Sequence, residues 1–239
     1  QEREDDLVLA TFGRGFYILD DYSCLRHLSR GNLQKAGMIF PVREALMFVE
    51  SYPLGELGSK ARGFQGEMYY SASNPPVGAV FRYHLKEAVK TLKEQRMDRE
   101  KEMIKAGKPV AYPTYEQLKD EEEEVKPYLL FTIRDDRDRV VRSLRAPMHP
   151  GVHQKVWDLT YPALETVRDA RYDPCQDGPS GTFVLPGTYR VSLAQHVRGR
   201  ITELAGPISF AVKSLGHATL PAEDKPALAD FQKKVKILN

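Results

Sequence analysis

The sequence predicts a mainly β protein, with a β-sandwich of immunoglobulin or fibronectin type, an inserted pair of charged helices and a C-terminal helix. Apolar residues recur at every second position in short segments between residues 79 and 213, which is the pattern of half-buried strands. Residues 86–126 interrupt these strands with charge-rich helix formers. The composition, 41% hydrophobic and 28% charged over 239 residues, suffices for one large core or two small ones.

Charge and hydropathy exclude several classes of partner. The formal net charge of +2 argues against the clustered basic face of a nucleic-acid-binding protein. No apolar run approaches the roughly 20 residues that span a bilayer, so no transmembrane segment is predicted. The chain begins without Met or a signal peptide, and we expect it to be a processed form or a fragment of a longer protein.

A β-hairpin is predicted at the start of the chain. Two apolar runs, Leu7–Thr11 and Phe16–Leu19, flank a Gly-Arg-Gly turn. The turn leads into a strand rather than a helix, so it is no phosphate-binding loop, and no cofactor is expected. Because an isolated two-stranded hairpin is marginal in water, these strands need a sheet to join.

The middle of the chain changes character twice. Residues 50–78 are rich in Gly, Pro, Ser and Tyr and are predicted to form a long loop. Ala79–Leu85 alternates and is predicted to be a strand with Ala79, Phe81, Tyr83 and Leu85 on its buried face. Residues 86–106 are predicted to be a helix that stops at Gly107, and the pair Thr114 and Gln117 predicts the capping box of a second helix, which ends before Pro127.

The remaining strands carry the predicted core. The strand after the helices places Leu129, Phe131 and Ile133 on one face, and a later strand does the same for Tyr189, Val191 and Leu193. Between them lies a strand with Trp157, the only tryptophan. From about Ala222 the apolar residues follow helical spacing, which predicts a terminal amphipathic helix.

The cysteines and histidines leave two questions open. Cys24 and Cys175 fit one disulfide in an oxidising compartment and two unrelated reduced thiols equally well. His149 and His153 are four residues apart, but Pro150 and Gly151 between them prevent a helix. They need not face one metal ion, and no metal site is predicted.

Three motifs in order resemble a known family. Residues 7–21 resemble the last-blade signature of secreted bacterial β-propellers of the sortilin-like or BNR-repeat class, often labelled glycosyl hydrolase, with Phe12 at the family's His position. Residues 74–87 are similar to the first strand of the β-sandwich that follows those propellers. Residues 151–159 and 185–191 resemble the family's His-x-x-x-Trp-Asp-Leu and Pro-Gly-Thr-Tyr strands.

The resemblance implies a domain plan, a location and a partner. It implies the closing strands of a β-propeller followed by an Ig-like sandwich, with most of the propeller supplied upstream or by another chain. It implies secretion, to the periplasm, the cell surface or the exterior. The predicted divisions are 1–50 (last propeller strands and exit), 51–78 (linker loop), 79–213 (sandwich with helical insertion 86–126) and 214–239 (helical tail).

A small set of residues is predicted as a ligand-binding site, and none as catalytic. Arg14 could bind an anionic ligand, and Asp20 and Asp21 are paired carboxylates, although a turn or capping role is favoured for both. Tyr69 and Tyr70 could stack on a carbohydrate, with packing against the propeller favoured. A glycosidase needs two carboxylates across the sugar, for which Asp158 and Glu165 are further candidates, with a structural role favoured for Asp158.

Three functions remain open at the level of sequence. The favoured one is non-catalytic binding and assembly, in which the chain packs against the rest of a propeller and takes a protein or carbohydrate ligand. The second is the C-terminal portion of a sialidase-type glycoside hydrolase whose active site lies on other blades. The third is a structural module of a larger secreted or outer-membrane complex.

Overall fold

The protein is described by a computed structural model. It describes residues 2–3, 5–13, 15–49, 75–163, 175–216 and 224–238. The strands are β1 Glu2–Arg3, β2 Asp6–Thr11, β3 Gly15–Leu19, β4 Gly37–Ile39, β5 Ala45–Met47, β6 Ala79–Leu85, β7 Tyr128–Arg134, β8 Val140–Pro147, β9 Gly151–Trp157, β10 Thr160–Pro162, β11 Ser180–Phe183, β12 Gly187–Val197 and β13 Arg200–Ser214. The helices are α1 Ser23–Arg26, α2 Arg30–Leu33, α3 Leu92–Lys105, α4 Tyr115–Glu123 and α5 Lys225–Leu238.

Two sheets form the main body, which confirms the mainly β prediction. The larger sheet has the order β5-β13-β12-β7-β8, and it is mixed because β5 runs parallel to β13 while the other neighbours are antiparallel. The smaller sheet has the order β4-β6-β9 and is antiparallel. The sequence places residues 37–47 with the propeller exit, but β4 and β5 hydrogen-bond to strands of this body.

The two sheets share one hydrophobic core. Phe81 on β6 stacks on Phe131 of β7 with ring centroids 6.2 Å apart, and it meets Phe210 of β13 edge-on at 5.4 Å. Trp157 at the end of β9 contacts the ring of Tyr189 on β12. The predicted inward faces of β6, β7 and β12 are buried, as alternation requires when one face of a strand is covered.

One glycine is fixed by the approach of β9 to the start of β6. Gly78 has φ of 118°, and a Cβ atom there would lie 2.1 Å from the carbonyl oxygen of Trp157. Only glycine tolerates both the backbone conformation and the contact. The Pro-Pro-Val-Gly run before β6 therefore positions that strand against the core.

The predicted hairpin forms at the N-terminus and belongs to a separate small sheet. β1, β2 and β3 pair in sequence order and are all antiparallel. Gly13, with φ of 71°, supplies the reversal between β2 and β3. Large apolar side chains on both faces of β3 are exposed: Phe16, Tyr17, Ile18 and Leu19.

The charged insertion consists of two capped helices. Both Thr91 of α3 and Thr114 of α4 close a capping box, so the predicted start of α4 is confirmed. The first helix begins at Leu92 rather than at residue 86, because the Thr91 side chain ends the extended segment that follows β6. Arg96 joins the helices through Glu121, with its Nε 2.7 Å from the Glu121 carboxylate.

The C-terminal residues also form a helix. Helix α5 begins at Lys225, three residues after the predicted start. None of the helices in the described part of the chain is both long and apolar enough to span a membrane.

Candidate functional site

A cleft separates the N-terminal sheet from the main body and contains the predicted carboxylate pair. Its volume is about 670 Å³. One wall is the end of β3 with Asp20 and Asp21, and the other includes Arg82 and Val80 of β6. Residues 75–78 and residues on and around β5, including Glu44, also line it. The cleft is therefore formed jointly by the end of the N-terminal hairpin and by the body.

Asp21 is held by a network and is not available as a free carboxylate. Its carboxylate accepts hydrogen bonds from Arg82 and from the backbone nitrogen and hydroxyl of Ser23. Its own backbone nitrogen donates to the Asp6 carboxylate at 2.8 Å. Asp21 adopts φ of 49°, a conformation that aspartate tolerates because its side chain can hydrogen-bond locally. The turn role favoured from the sequence is confirmed.

Asp20 differs from its neighbour in exposure and contacts. Its carbonyl oxygen accepts from Arg82 Nη2 at 3.2 Å, and its side chain is exposed at the cleft. Among the described residues its carboxylate has no hydrogen-bond partner. Asp20 is therefore the member of the pair that a ligand in the cleft could reach.

The structure leaves three predicted ligand residues without a test. Arg14, Tyr69 and Tyr70 lie outside the described residues, as does Glu165. The residue that organises the cleft, Arg82, was missed as a site residue. The signal was weak: Arg82 stands on the polar side of the alternating strand β6, where an arginine is ordinarily read as solvated.

Asp158 is a structural acceptor, as the sequence favoured. Its carboxylate accepts from the Thr160 hydroxyl at 2.7 Å, from the Thr160 backbone nitrogen at 3.2 Å and from the Ser180 hydroxyl. Burial by itself would raise the pKa of Asp158, but the hydrogen bonds from Ser180 and Thr160 outweigh it, and the pKa lies below its usual value. A carboxyl group held ionised in this way does not suit the general acid of a glycosidase.

We expect Asp158→Asn to lower the free energy of unfolding by about 1–2 kcal/mol at pH 7, since hydrogen bonds to a charged acceptor are lost. The folded-state pKa is depressed, so this stabilisation is present above about pH 4 and disappears as the pH falls through the folded value. Urea unfolding of both proteins at pH 7 and pH 3 measures the difference. Asp136→Asn, at an exposed turn, is the control, and a gap that persists unchanged at pH 3 would contradict this role.

His149 and His153 lie close to each other in the structure. The rings of His149 and His153 have centroids 6.2 Å apart, and His153 Nε2 lies 3.0 Å from the carbonyl oxygen of Pro150. Within the described ranges, no three His, Cys, Asp or Glu side chains converge where they could hold a metal ion.

Comparison of the chain with family models, with curated proteins and with solved structures found no match. The chain is therefore characterised by its own structure alone: it is a mainly β protein whose body carries a small, exposed N-terminal sheet.

Proposed function

We propose that the chain is a non-catalytic binding and assembly part of a secreted β-propeller protein of the sortilin-like or BNR-repeat class. In this proposal the N-terminal sheet packs against the remaining propeller strands, which belong to the same parent protein or to a separate chain. The observation that carries the proposal is the exposure of Phe16, Tyr17, Ile18 and Leu19 in a single strand. Contiguous exposed apolar side chains of this size mark an interaction surface.

The topology of the N-terminal sheet supports this choice of partner. A propeller blade is a four-stranded antiparallel sheet. The strands β1, β2 and β3 form three antiparallel strands in sequence order, with β3 at an edge of the described sheet. An edge strand with exposed backbone groups accepts a further strand. A blade completed by a strand from elsewhere fits both the edge and the apolar faces.

Features of the body support an immunoglobulin-type sandwich as the companion domain. The Tyr189 hydroxyl donates to the carbonyl oxygen of Leu185, four residues upstream, at 2.6 Å. This contact resembles the tyrosine corner of immunoglobulin-type sandwiches. Trp157 is buried and contacts the same tyrosine, and a buried tryptophan is a second hallmark of such domains.

The carboxylates favour assembly over glycoside hydrolysis for this chain. Hydrolysis requires two carboxyl groups facing one sugar, one of them protonated. Asp21 is engaged by Arg82 and Ser23, and Asp158 is held ionised away from the cleft. Among the described candidates this leaves Asp20 as a single carboxylate that faces the cleft, whereas hydrolysis requires two. In the hydrolase alternative the active site would therefore need other blades, and we expect the isolated chain to release no fluorophore from 4-methylumbelliferyl sialoside.

We expect Ile18→Ser to abolish binding of the chain to the blade-bearing partner, because it places a hydroxyl in an apolar contact. Ile18 is 64% exposed, and Ile201, 59% exposed in the β12–β13 hairpin, provides a matched control. Native mass spectrometry of the tagged chain, purified from its source, would give the mass of the bound chain, and fragmentation would identify its sequence. Neither substitution should change the thermal midpoint by more than about 2 °C, since both side chains face solvent.

Two outcomes would contradict the proposal. One is a bound chain that contains no propeller strands. The other is loss of the partner from the Ile201→Ser variant to the same extent as from Ile18→Ser, which would place the contact elsewhere.

A further inference from the structure

The two cysteines of the chain line one cavity, although they are far apart in sequence. Cys24 and Cys175 both contribute to a cavity of about 640 Å³. Cys24 is buried and Cys175 is partly buried, and the structure contains no disulfide between them. The cavity lies against β8 and β9, each of which is the outermost described strand of its sheet. It therefore marks the place where the two sheets of the body meet at one edge.

Cys24 is fixed to this edge through the residues that precede it. Helix α1 begins two residues after Asp21, and Arg82 binds both the Asp21 carboxylate and the carbonyl oxygen of Asp20. Arg82 also lines the cavity. The same arginine therefore holds the start of α1 on β6 and lines the cavity that contains both cysteines.

Cys175 is fixed to the same edge from the other side. Two residues later, the Asp177 carboxylate accepts from the backbone nitrogen of Arg145 on β8 at 2.8 Å and pairs with Lys155 Nζ on β9 at 2.6 Å. The guanidinium of Arg142 donates to the carbonyl oxygens of Gly178 and Pro179. The segment from 175 to 179 thus bridges the edges of both sheets.

The strand register brings the two anchors together. Arg82 is the Cα partner of Gln154, which directly precedes Lys155. The anchor of Cys24 and the anchor of Cys175 are therefore attached to adjacent positions on the paired strands β6 and β9. The two cysteines thus line one cavity and are both tied to the same edge of the body.

We propose that Cys24 and Cys175 form a disulfide that fastens α1, and with it the N-terminal sheet, to the β8–β9 edge of the body. A covalent tie here would hold the docking sheet in place while a partner is bound or released. The proposal requires an oxidising compartment, as the proposed function does, but it is independent of which partner the N-terminal sheet binds.

The oxidation is a thiol–disulfide exchange with a small disulfide such as glutathione disulfide. The thiolate of Cys175, the less buried of the two residues, attacks one glutathione sulfur, breaks its S–S bond and releases one glutathione thiolate. The thiolate of Cys24 then attacks the Cys175 sulfur of the mixed disulfide and releases the second glutathione. Two protein thiols lose two electrons and two protons, and one glutathione disulfide becomes two glutathione molecules.

The test is thiol counting on the whole chain after equilibration in a glutathione buffer of the poise found in the endoplasmic reticulum. The protein is then unfolded, treated with N-ethylmaleimide and weighed intact. We expect no alkylation, a mass lower by two hydrogen atoms, and one cross-linked peptide containing Cys24 and Cys175. The oxidised monomer should melt about 5–15 °C above the same sample treated with dithiothreitol.

Cys24→Ser and Cys175→Ser each leave one thiol, and both should melt with the reduced wild-type protein. The comparison of oxidised with reduced wild-type protein needs no variant, so it tests the proposal even if a serine variant fails to fold. Alkylation of both cysteines, stable glutathione adducts on the wild-type chain, or a disulfide-linked dimer would overturn the proposal. So would one equivalent of Zn²⁺, added as chloride, that protects both thiols and is lost in His149→Ala. Failure of Ile18→Ser to release the partner would count only against the docking proposal.

Discussion

Replacing Trp157 with alanine should be the most damaging single substitution in the body. The side chain is 0% exposed, and its ring contacts both Tyr189 and Phe210 between the two sheets. Its indole nitrogen donates to the carbonyl oxygen of Thr160 at 3.0 Å, and that acceptor would be left unpaired. We expect a loss of about 3–5 kcal/mol in the free energy of unfolding, from the cavity and the lost burial together.

Urea unfolding followed by far-ultraviolet circular dichroism measures this loss, because the variant has no tryptophan fluorescence. Trp157→Phe separates the two contributions: it keeps an aromatic ring in the core and loses the hydrogen bond, and it should cost less than half as much. Phe16→Ala on the exposed strand β3 is the control and should change stability by about 0.5 kcal/mol or less. A Trp157→Ala loss no larger than this control would show that the two sheets do not share the described core.

Replacing Arg82 with methionine should weaken the attachment of the N-terminal sheet to the body. Arg82 and Asp21 form an ion pair whose side chains are only 17% and 11% exposed. Removing the cation leaves a carboxylate in a poorly solvated position, and the contact with the Asp20 carbonyl is lost as well. We expect a loss of about 2–4 kcal/mol, somewhat below the range for fully buried pairs because both groups retain some solvent.

Lys213→Met provides the matched control for Arg82→Met. Lys213 pairs with Glu44 at 2.6 Å, but its side chain is 64% exposed, so we expect a change of about 0–1 kcal/mol. Adding Asp21→Asn to Arg82→Met should recover part of the loss, since no unpaired charge remains. Equal losses for the arginine and lysine variants, or additive losses in the double variant, would contradict the anchoring role of Arg82.

Local sequence patterns predicted helices and strands, but they did not predict contacts between segments that are distant in sequence. The buried face of β6 and the capping box at Thr114 each depend on residues that are close in sequence, and both were predicted. The pair Arg82 and Asp21 joins positions 61 residues apart, and each residue by itself has an ordinary local explanation as a polar strand residue or a turn. The parallel pairing of Ala45 with Val212 likewise depends on the assembled core and leaves no signal in either segment.

Two residues of the cleft, Asp20 and Asp21, were predicted as ligand-binding candidates, but the difference between their contacts was not. The sequence singled out Asp20 and Asp21 together because they are adjacent and acidic. The structure separates them, since the left-handed backbone at Asp21 turns one carboxylate onto Arg82 and Ser23 while the other faces the cleft. Adjacent residues in an extended or turning chain point in different directions, so a pair in sequence need not act as a pair in space.

Amide hydrogen exchange of the isolated monomeric chain tests most directly whether the N-terminal sheet is a docking element carried by an independent body. Slow exchange is expected in β6, β7 and β12, which carry the shared core. Exchange faster by at least about a hundredfold is expected in β2 and β3, which contribute no side chain to that core among the described residues. Binding of the blade-bearing partner should slow exchange in β2 and β3 alone. Core-like protection of β2 and β3 in the free monomer would contradict the account, because a sheet already stable by itself would need no further strands.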